Sequence, residues 1–133
     1  MSEQFSPEQF EKLSGLPLGF YGSKISKEGE LPVDFIDYFK VNAGRWDGQH
    51  LEVALALLRT IDTDVAKHLI ADYLNHPLKY IRLTVLGMVD QMNPVDDYIL
   101  SRIHERLRST TGEEFGVSTL KRIQDRALRE PVS

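Results

Sequence analysis

From residue 31 onward, apolar residues recur every three to four positions, which is the period of an α-helix with one buried face. No segment sustains the alternation of a β-strand, and β-branched residues are scattered along the chain. Proline or aspartate precedes most of the periodic segments, as expected at helix starts. The sequence therefore predicts an all-α protein, with helices within residues 6–14, 31–44, 47–62, 62–75, 77–89, 94–109 and 117–130.

The length of 133 residues is enough for one α-helical domain with its own core, so we predict a single domain over residues 1–133. Residues 15–30 contain four glycines and a proline, a composition typical of loops. Phe20 and Tyr21 lie between two of these glycines. Their rings either tuck into the core or form an exposed contact point, and we take them as candidate contact residues in a Gly-rich loop.

A single arginine, Arg82, stands inside the strongly apolar segment 75–89. Ile81, Val85 and Met88 repeat there at helical spacing, and Arg82 is rotated about 100° from Ile81 around the helix axis. We therefore predict that Arg82 flanks the buried stripe, with its stem covering apolar surface and its guanidinium pairing with an acid or with helix-end carbonyls.

This segment resembles a HEAT repeat, in which a polar residue and a proline open a helix and an apolar–arginine pair follows. The matching residues here are Asn75, Pro77, Ile81, Arg82, Val85 and Met88. The resemblance covers about residues 63–109, with Asn75 where an Asp is usual and Val85 where an Ala is usual. It implies short antiparallel helix pairs stacked as a small α-solenoid. An irregular helical bundle is the alternative, because no clean self-similarity occurs at a 30- to 50-residue period.

The whole chain carries a net charge of −4. Its acidic residues are concentrated in the first half. Residues 1–66 contain 6 Lys/Arg and 11 Asp/Glu, whereas residues 67–133 contain 10 and 9. An acidic front half suits a basic partner and disfavours binding of the whole chain to nucleic acid.

The strongest candidates for metal or acid–base chemistry are Asp64, His68, Asp72 and His76, which are spaced four residues apart. We interpret them as the solvent face of a helix, with Asp64 as its N-cap and His68 and Asp72 as a surface pair. The sequence contains no phosphate-binding loop, nucleophile elbow or zinc-protease motif, and no cysteine. We predict a non-enzymatic protein with no catalytic residues, no metal site and no cofactor.

The last two predicted helices are rich in cations, which keeps nucleic-acid binding as an alternative: Arg102, Arg106, Arg108, Lys121, Arg122, Arg126 and Arg129. Acidic residues interleave with them, so pairs such as Arg102–Glu105 and Arg122–Asp125 explain the pattern without a ligand.

Solenoids usually act by holding another protein, so we predict a protein-binding module. A small, acidic, motif-free helical chain is also similar in type to bacterial immunity proteins, which neutralise toxins by covering the active site. An adaptor or structural subunit of a larger assembly is the other alternative. We expect a partner protein with a basic surface, a cytoplasmic location because no secretory signal is visible, and no membrane, nucleic-acid or small-molecule ligand. The candidate contact residues are Phe20, Tyr21, Asp34, Asp37, Trp46 and Asp47.

Overall fold

The computed structural model describes residues 4–109 and 116–129, and these residues contain eight α-helices, two short 3₁₀ helices and no strand. The all-α prediction is confirmed. The chain divides into two compact units, Met1–Asp62 and Thr63–Ser133, which we call unit 1 and unit 2. That they form the single domain predicted from the length stays a prediction.

Unit 1 contains four α-helices and one 3₁₀ turn: α1 Pro7–Lys12, α2 Gly15–Glu28, α3 Phe35–Asn42, the 3₁₀ turn Ala43–Arg45 and α4 Gly48–Arg59. The sequence signals at two of the helix starts are confirmed. The Ser6 hydroxyl accepts a hydrogen bond from the Gln9 N–H at 3.3 Å, and the Asp47 carboxylate accepts one from the His50 N–H at 2.8 Å. Both side chains satisfy amides that the first helical turn leaves unpaired.

The Gly-rich loop predicted over residues 15–30 is wrong, because residues Gly15–Glu28 form the longest helix of the described chain. Gly15 has a φ of 61°, and the Gln49 side chain exchanges two hydrogen bonds with its backbone, at 2.9 and 2.7 Å. Gly22 is buried against α4, where an added Cβ would lie 2.5 Å from the Val53 Cγ1. These glycines serve a helix start and a close helix–helix approach, so they do not interrupt the helix.

The core of unit 1 is rich in aromatic rings. Phe5, Phe10, Phe35 and Phe39 are all at most 4% exposed. The Phe5 ring centroid lies 5.4 Å from that of Phe10 and 5.2 Å from that of Phe35. Buried aliphatic residues of α2 and α4, which pack against each other, complete this core.

Unit 2 contains α5 Asp64–Asp72, the 3₁₀ turn Tyr73–Asn75, α6 Lys79–Asp90, α7 Asp97–Ser109 and α8 Val117–Arg129. Helix α5 packs against α6 and α7, and α8 packs against α6 and α7. The core of this unit is mainly aliphatic, formed by Ile70, Leu74, Ile81, Val85, Val89, Ile99, Ile103, Leu120 and Ile123. Leu128, in the last turn of α8, is outside this core and is 63% exposed.

The position predicted for Arg82 is confirmed. Its Nη1 donates hydrogen bonds to the carbonyl oxygens of His76 and Pro77, both at 2.9 Å, while Ile81 is fully buried. The helix-start prediction for α5 is wrong by one residue, because the Thr63 hydroxyl caps the helix by accepting from the Ala66 N–H at 3.2 Å. Asp64 is the first helical residue.

Candidate protein-binding surface

One carboxylate, that of Glu11 on α1, gathers three donors from the α3 region and the turn that follows it. Glu11 accepts from the Tyr38 hydroxyl at 2.7 Å, the Trp46 Nε1 at 3.0 Å, and Arg45 at 2.6 and 3.1 Å. We call these four residues the Glu11 cluster. Because its members come from α1, α3 and the segment before α4, the cluster fixes α3 against the start of the chain.

The donors around Glu11 keep its carboxylate ionised. Burial alone raises the pKa of Glu11, but hydrogen bonds from Arg45, Tyr38 and Trp46 and the charge of Arg45 outweigh it and lower the pKa to about 2. The pKa of Tyr38 is raised, because burial and the hydrogen bond to Glu11 both favour the neutral phenol. At neutral pH, an ionised Glu11 therefore holds Tyr38, Arg45 and Trp46 through hydrogen bonds.

Two of the predicted contact residues are used inside unit 1. The Tyr21 ring is 6% exposed, and its hydroxyl accepts from the Ser6 N–H at 2.8 Å, so the expectation of an exposed ring at this position is wrong. Trp46 is half-buried, with its ring centroid 5.4 Å from that of Phe10 and 5.8 Å from that of Phe39. Both rings support the fold, and neither offers a full face to a partner.

Asp47 is exposed, but its carboxylate is already engaged at the start of α4. It accepts from the His50 N–H and lies 2.9 Å from the His50 Nδ1, whose other ring nitrogen is 3.2 Å from the Phe10 carbonyl oxygen. The backbone and side-chain hydrogen bonds from His50 lower the pKa of Asp47. Asp47 thus acts as a helix cap.

Asp37 on α3 and Asp34, the residue before its first turn, are exposed, and neither makes an ion pair with any residue in the described part of the chain. Two valines that the sequence reading missed accompany them, Val33 at 108% and Val41 at 81% exposure. Asp37 and Val41 are four residues apart on α3 and lie on one side of the helix, and Val33 lies in the turn that precedes it. We call Val33, Asp34, Asp37 and Val41 the α3 ridge. The four-residue spacing of Asp37 and Val41 was readable from the sequence.

Phe20 is also exposed, at 69%, and Leu16, one turn earlier on α2, is 75% exposed. Residues four apart on a helix are neighbours on its surface, so these two side chains form a second apolar contact point. Of the two placements that the sequence left open for Phe20, the structure shows the exposed one, on a helix and not in a loop.

Of the four-residue series that begins on α5, Asp64 and Asp72 are exposed as predicted, whereas His68 and His76 are only partly exposed. His68 Nε2 lies 2.6 Å from the Asp96 Oδ2, and the Tyr98 hydroxyl donates to Asp72 at 2.5 Å, so both side chains contact α7 or its cap. His76 Nδ1 accepts from the Leu78 N–H at 3.0 Å. The predicted His68–Asp72 pair is wrong. Among residues 4–109 and 116–129, no group of three or more acidic or histidine side chains is placed to hold a metal ion.

Several cations of the two C-terminal helices are paired within unit 2. The predicted Arg102–Glu105 pair is confirmed at 2.8 Å. Arg122 reaches Asp90 on α6 at 2.7 Å, and Arg126 donates to the Asp90 carbonyl oxygen at 3.0 Å. These contacts use guanidinium groups that a nucleic-acid backbone would need.

Comparison with protein-family models, with curated proteins and with solved structures found no match to this chain. No helix in the described ranges has the length and apolar character needed to cross a bilayer.

Proposed function

We propose that this chain is a non-enzymatic protein-binding module whose α3 ridge contacts a basic surface of another protein. In its narrower form, the proposal is a bacterial immunity protein that neutralises a toxin by covering its active site. The small HEAT-like solenoid implied by residues 63–109 is part of the same proposal, since such folds serve to hold partners.

The observation that carries the proposal is the state of the acidic side chains in unit 1. Glu11 and Asp47 are engaged by donors from their own unit, as described above. Asp34 and Asp37 are exposed and have no ion-pair partner among the described residues. Two carboxylates that the fold does not use are available to cations of another molecule.

The valines of the ridge give this charged surface an apolar component. Val33 and Val41 flank the two aspartates and are more than 80% exposed. Complete burial of a valine side chain contributes roughly 1.5–3 kcal/mol, whereas exposed charges mainly speed association and select the partner. Since a stable interface takes about 20–30 residues from each protein, the ridge would be one part of a larger contact surface.

The structure also supports the rigidity that a preformed binding surface needs. Tyr38, on α3, and Arg45 and Trp46, which follow it, are all tied to Glu11. Phe35 and Phe39 anchor the opposite face of α3 in the core at 1% exposure. A helix held in this way loses little conformational freedom on binding, which favours affinity.

The proposal is tested by affinity capture from the native host, followed by mass spectrometry. One bait is the wild-type protein, and the second, the ridge variant, carries Asp34→Asn, Asp37→Asn and Val41→Ser. Trp46 is left unchanged, because its ring belongs to the core edge. We expect one dominant protein with a basic surface to be retained by wild type and lost by the variant.

A charge-matched control variant, Glu8→Gln with Glu28→Gln, removes two carboxylates from exposed positions elsewhere in unit 1. We expect it to retain the same protein. Circular dichroism must show the same helix content for all three baits. Equal retention by the ridge variant, or capture of nucleic acid, would contradict the proposal, and captured nucleic acid would favour the basic C-terminal helices.

A further inference from the structure

Unit 2 contains an open pocket of about 530 Å³ at the start of α5, the segment before α7 and the end of α8. Its volume lies within the range of about 300–1,000 Å³ that is typical of ligand sites. The wall is aliphatic, formed by Val95, Ile99, Leu100 and Leu128. Leu128 is 63% exposed, so this wall includes apolar surface that the fold leaves uncovered.

The charged side chains that line the pocket are Asp64, Lys67, Asp96 and Asp97, three carboxylates against one ammonium group. Asp96 is engaged, because it caps α7 through the Ile99 N–H at 3.0 Å and lies 2.6 Å from His68. Asp64 and Asp97 are exposed and make no ion pair or side-chain hydrogen bond to any residue of the described ranges. The pocket therefore combines an aliphatic wall with two free carboxylates.

We propose that this pocket receives a lysine side chain of a basic partner protein. Its methylene groups lie against Val95, Leu100 and Leu128, and its ammonium group lies between Asp64 and Asp97. An aliphatic stem that ends in a cation matches both halves of the pocket at once.

Other chemistries fit this pocket less well. An anionic ligand would meet three carboxylates, and a neutral apolar ligand would desolvate Asp64 and Asp97 without compensation. Arginine favours bidentate contact with a single carboxylate, whereas a compact ammonium group with three rotatable donors suits carboxylates supplied by two helices. Asp64 belongs to α5 and Asp97 to α7.

This inference rests on the proposed function in taking a basic protein as the partner. It does not involve the α3 ridge, and its test requires no partner. The probes are three capped tripeptides that place lysine, norleucine or glutamate between two glycines. Each peptide is titrated into ¹⁵N-labelled full-length protein and followed by amide chemical shifts.

We expect saturable shifts of the Ile99, Leu100 and Ala127 amides with the lysine peptide. The norleucine peptide, which has the same stem without the charge, should bind more weakly, and the glutamate peptide should not bind. Asp64→Asn with Asp97→Asn should weaken lysine binding about three- to tenfold, the size expected for two exposed ion pairs. Asp125→Asn, an exposed change on α8 outside the pocket, should have no effect.

Equal binding of the lysine and norleucine peptides would overturn the inference, as would the absence of saturable shifts in this pocket. An unchanged affinity in the Asp64/Asp97 variant would also overturn it. The amide spectrum of each free variant verifies its fold. Because the capture experiment is scored on Asp34 and Asp37, failure of the pocket is distinguishable from failure of the proposed function.

Discussion

Units 1 and 2 are both helical, but they are held together by different side chains. Five of the six phenylalanines and the only tryptophan of the chain lie in residues 1–62. The buried residues of unit 2 are almost all aliphatic. Aromatic rings bury more area per residue than aliphatic side chains. A short unit can therefore form a core from a few large residues, and each of them then carries a larger share of the stability.

The polar contacts differ in the same way. In unit 1, one carboxylate, Glu11, joins three donors from other parts of the chain. In unit 2, separate pairs connect separate helices, as in His68–Asp96, Tyr98–Asp72 and Arg122–Asp90. We expect unit 1 to depend strongly on single residues and unit 2 to distribute its stability over several contacts.

Charge follows this division. Residues 1–62 contain 6 Lys/Arg and 10 Asp/Glu, whereas residues 63–133 contain 10 of each. Unit 2 pairs Asp72 and Asp90 with its own arginines. Within the described residues, unit 1 leaves Asp34 and Asp37 unpaired and unit 2 leaves Asp64 and Asp97 unpaired. In both units the unpaired carboxylates, more than net charge alone, mark the surface that we propose for a partner.

The largest expected effect is the loss of Phe10, which is fully buried and contacts the rings of Phe5, Trp46 and His50. Phe10→Ala should lower the free energy of unfolding by about 3–5 kcal/mol, because it leaves a cavity among three rings. Urea denaturation monitored by Trp46 fluorescence measures this free energy of unfolding. Phe20→Ala, on the exposed face of α2, should stay within about 0.5 kcal/mol of wild type. Similar losses for both variants would contradict the aromatic-core account.

Removing the charge of Glu11 should have the second largest effect. Glu11→Gln should lower the free energy of unfolding by about 2–3 kcal/mol, because a pKa lowered from 4.5 to about 2 corresponds to roughly 3 kcal/mol. Glu8→Gln, which loses only an exposed pair with Lys12, is the matched control and should change stability by less than about 0.5 kcal/mol.

The same carboxylate predicts the direction of the pH dependence. The folded protein holds Glu11 ionised, so its contribution is complete above pH 4.5 and is lost as the pH falls toward 2. The difference in stability between wild type and Glu11→Gln should therefore shrink through this window. A difference that stays constant between neutral pH and pH 2 would show that Glu11 acts through packing and not through its charge.

In unit 2, Asp96→Ala should cost about 1–2 kcal/mol, because it removes the N-cap of α7 together with the contact to His68. Asp96→Asn keeps a side-chain oxygen for the cap and should recover part of the loss. Chemical denaturation monitored by circular dichroism measures both. If Asp96→Ala destabilised the protein more than Glu11→Gln, unit 1 would not depend more strongly than unit 2 on a single carboxylate, and the proposed contrast between the units would be wrong.

The smallest expected effect concerns His76. Burial and the charge of Arg82 lower its pKa, and its Nδ1 accepts from the Leu78 N–H, which requires an unprotonated nitrogen. The unfolded state therefore binds this proton more readily, so the contribution of neutral His76 is lost as the pH falls below about 6.5. Titration of the His76 ring protons by NMR should give a pKa below this value, and a value above it would contradict the assignment.

Local signals in the sequence predicted most of the helices, because they depend only on nearby residues. Ser6, Asp47 and the apolar spacing of α4 to α8 are examples. Helix α2 was missed, since its glycines are typical of a loop and the reason for Gly22 lies in Val53 of another helix. The fold class was thus predictable from the sequence, whereas the contacts that individual residues make with other helices were not.

The residues of the candidate site show the same difference between local and tertiary features. The accessibility of Asp34 and Asp37 could be predicted, because charged side chains beside a helical stripe are a local feature. That of Phe20 could not, because its helix was read as a loop and both placements of its ring stayed open. The Glu11 cluster could not, because its partners lie 27 to 35 residues away in the chain. His68 was assigned to Asp72 on its own helix, but its partner Asp96 is 28 residues distant.

The most direct test of the central claim is the association rate constant of this chain with the captured protein, measured by stopped flow at low and moderate salt. If the α3 ridge steers a basic partner, Asp34→Asn with Asp37→Asn should slow association at low salt by about tenfold and flatten its salt dependence. The control Glu8→Gln with Glu28→Gln should behave like wild type in that comparison, or nearly so. Equal slowing by the two double variants would show that only net charge matters, and no slowing by the ridge variant would place the contact surface elsewhere.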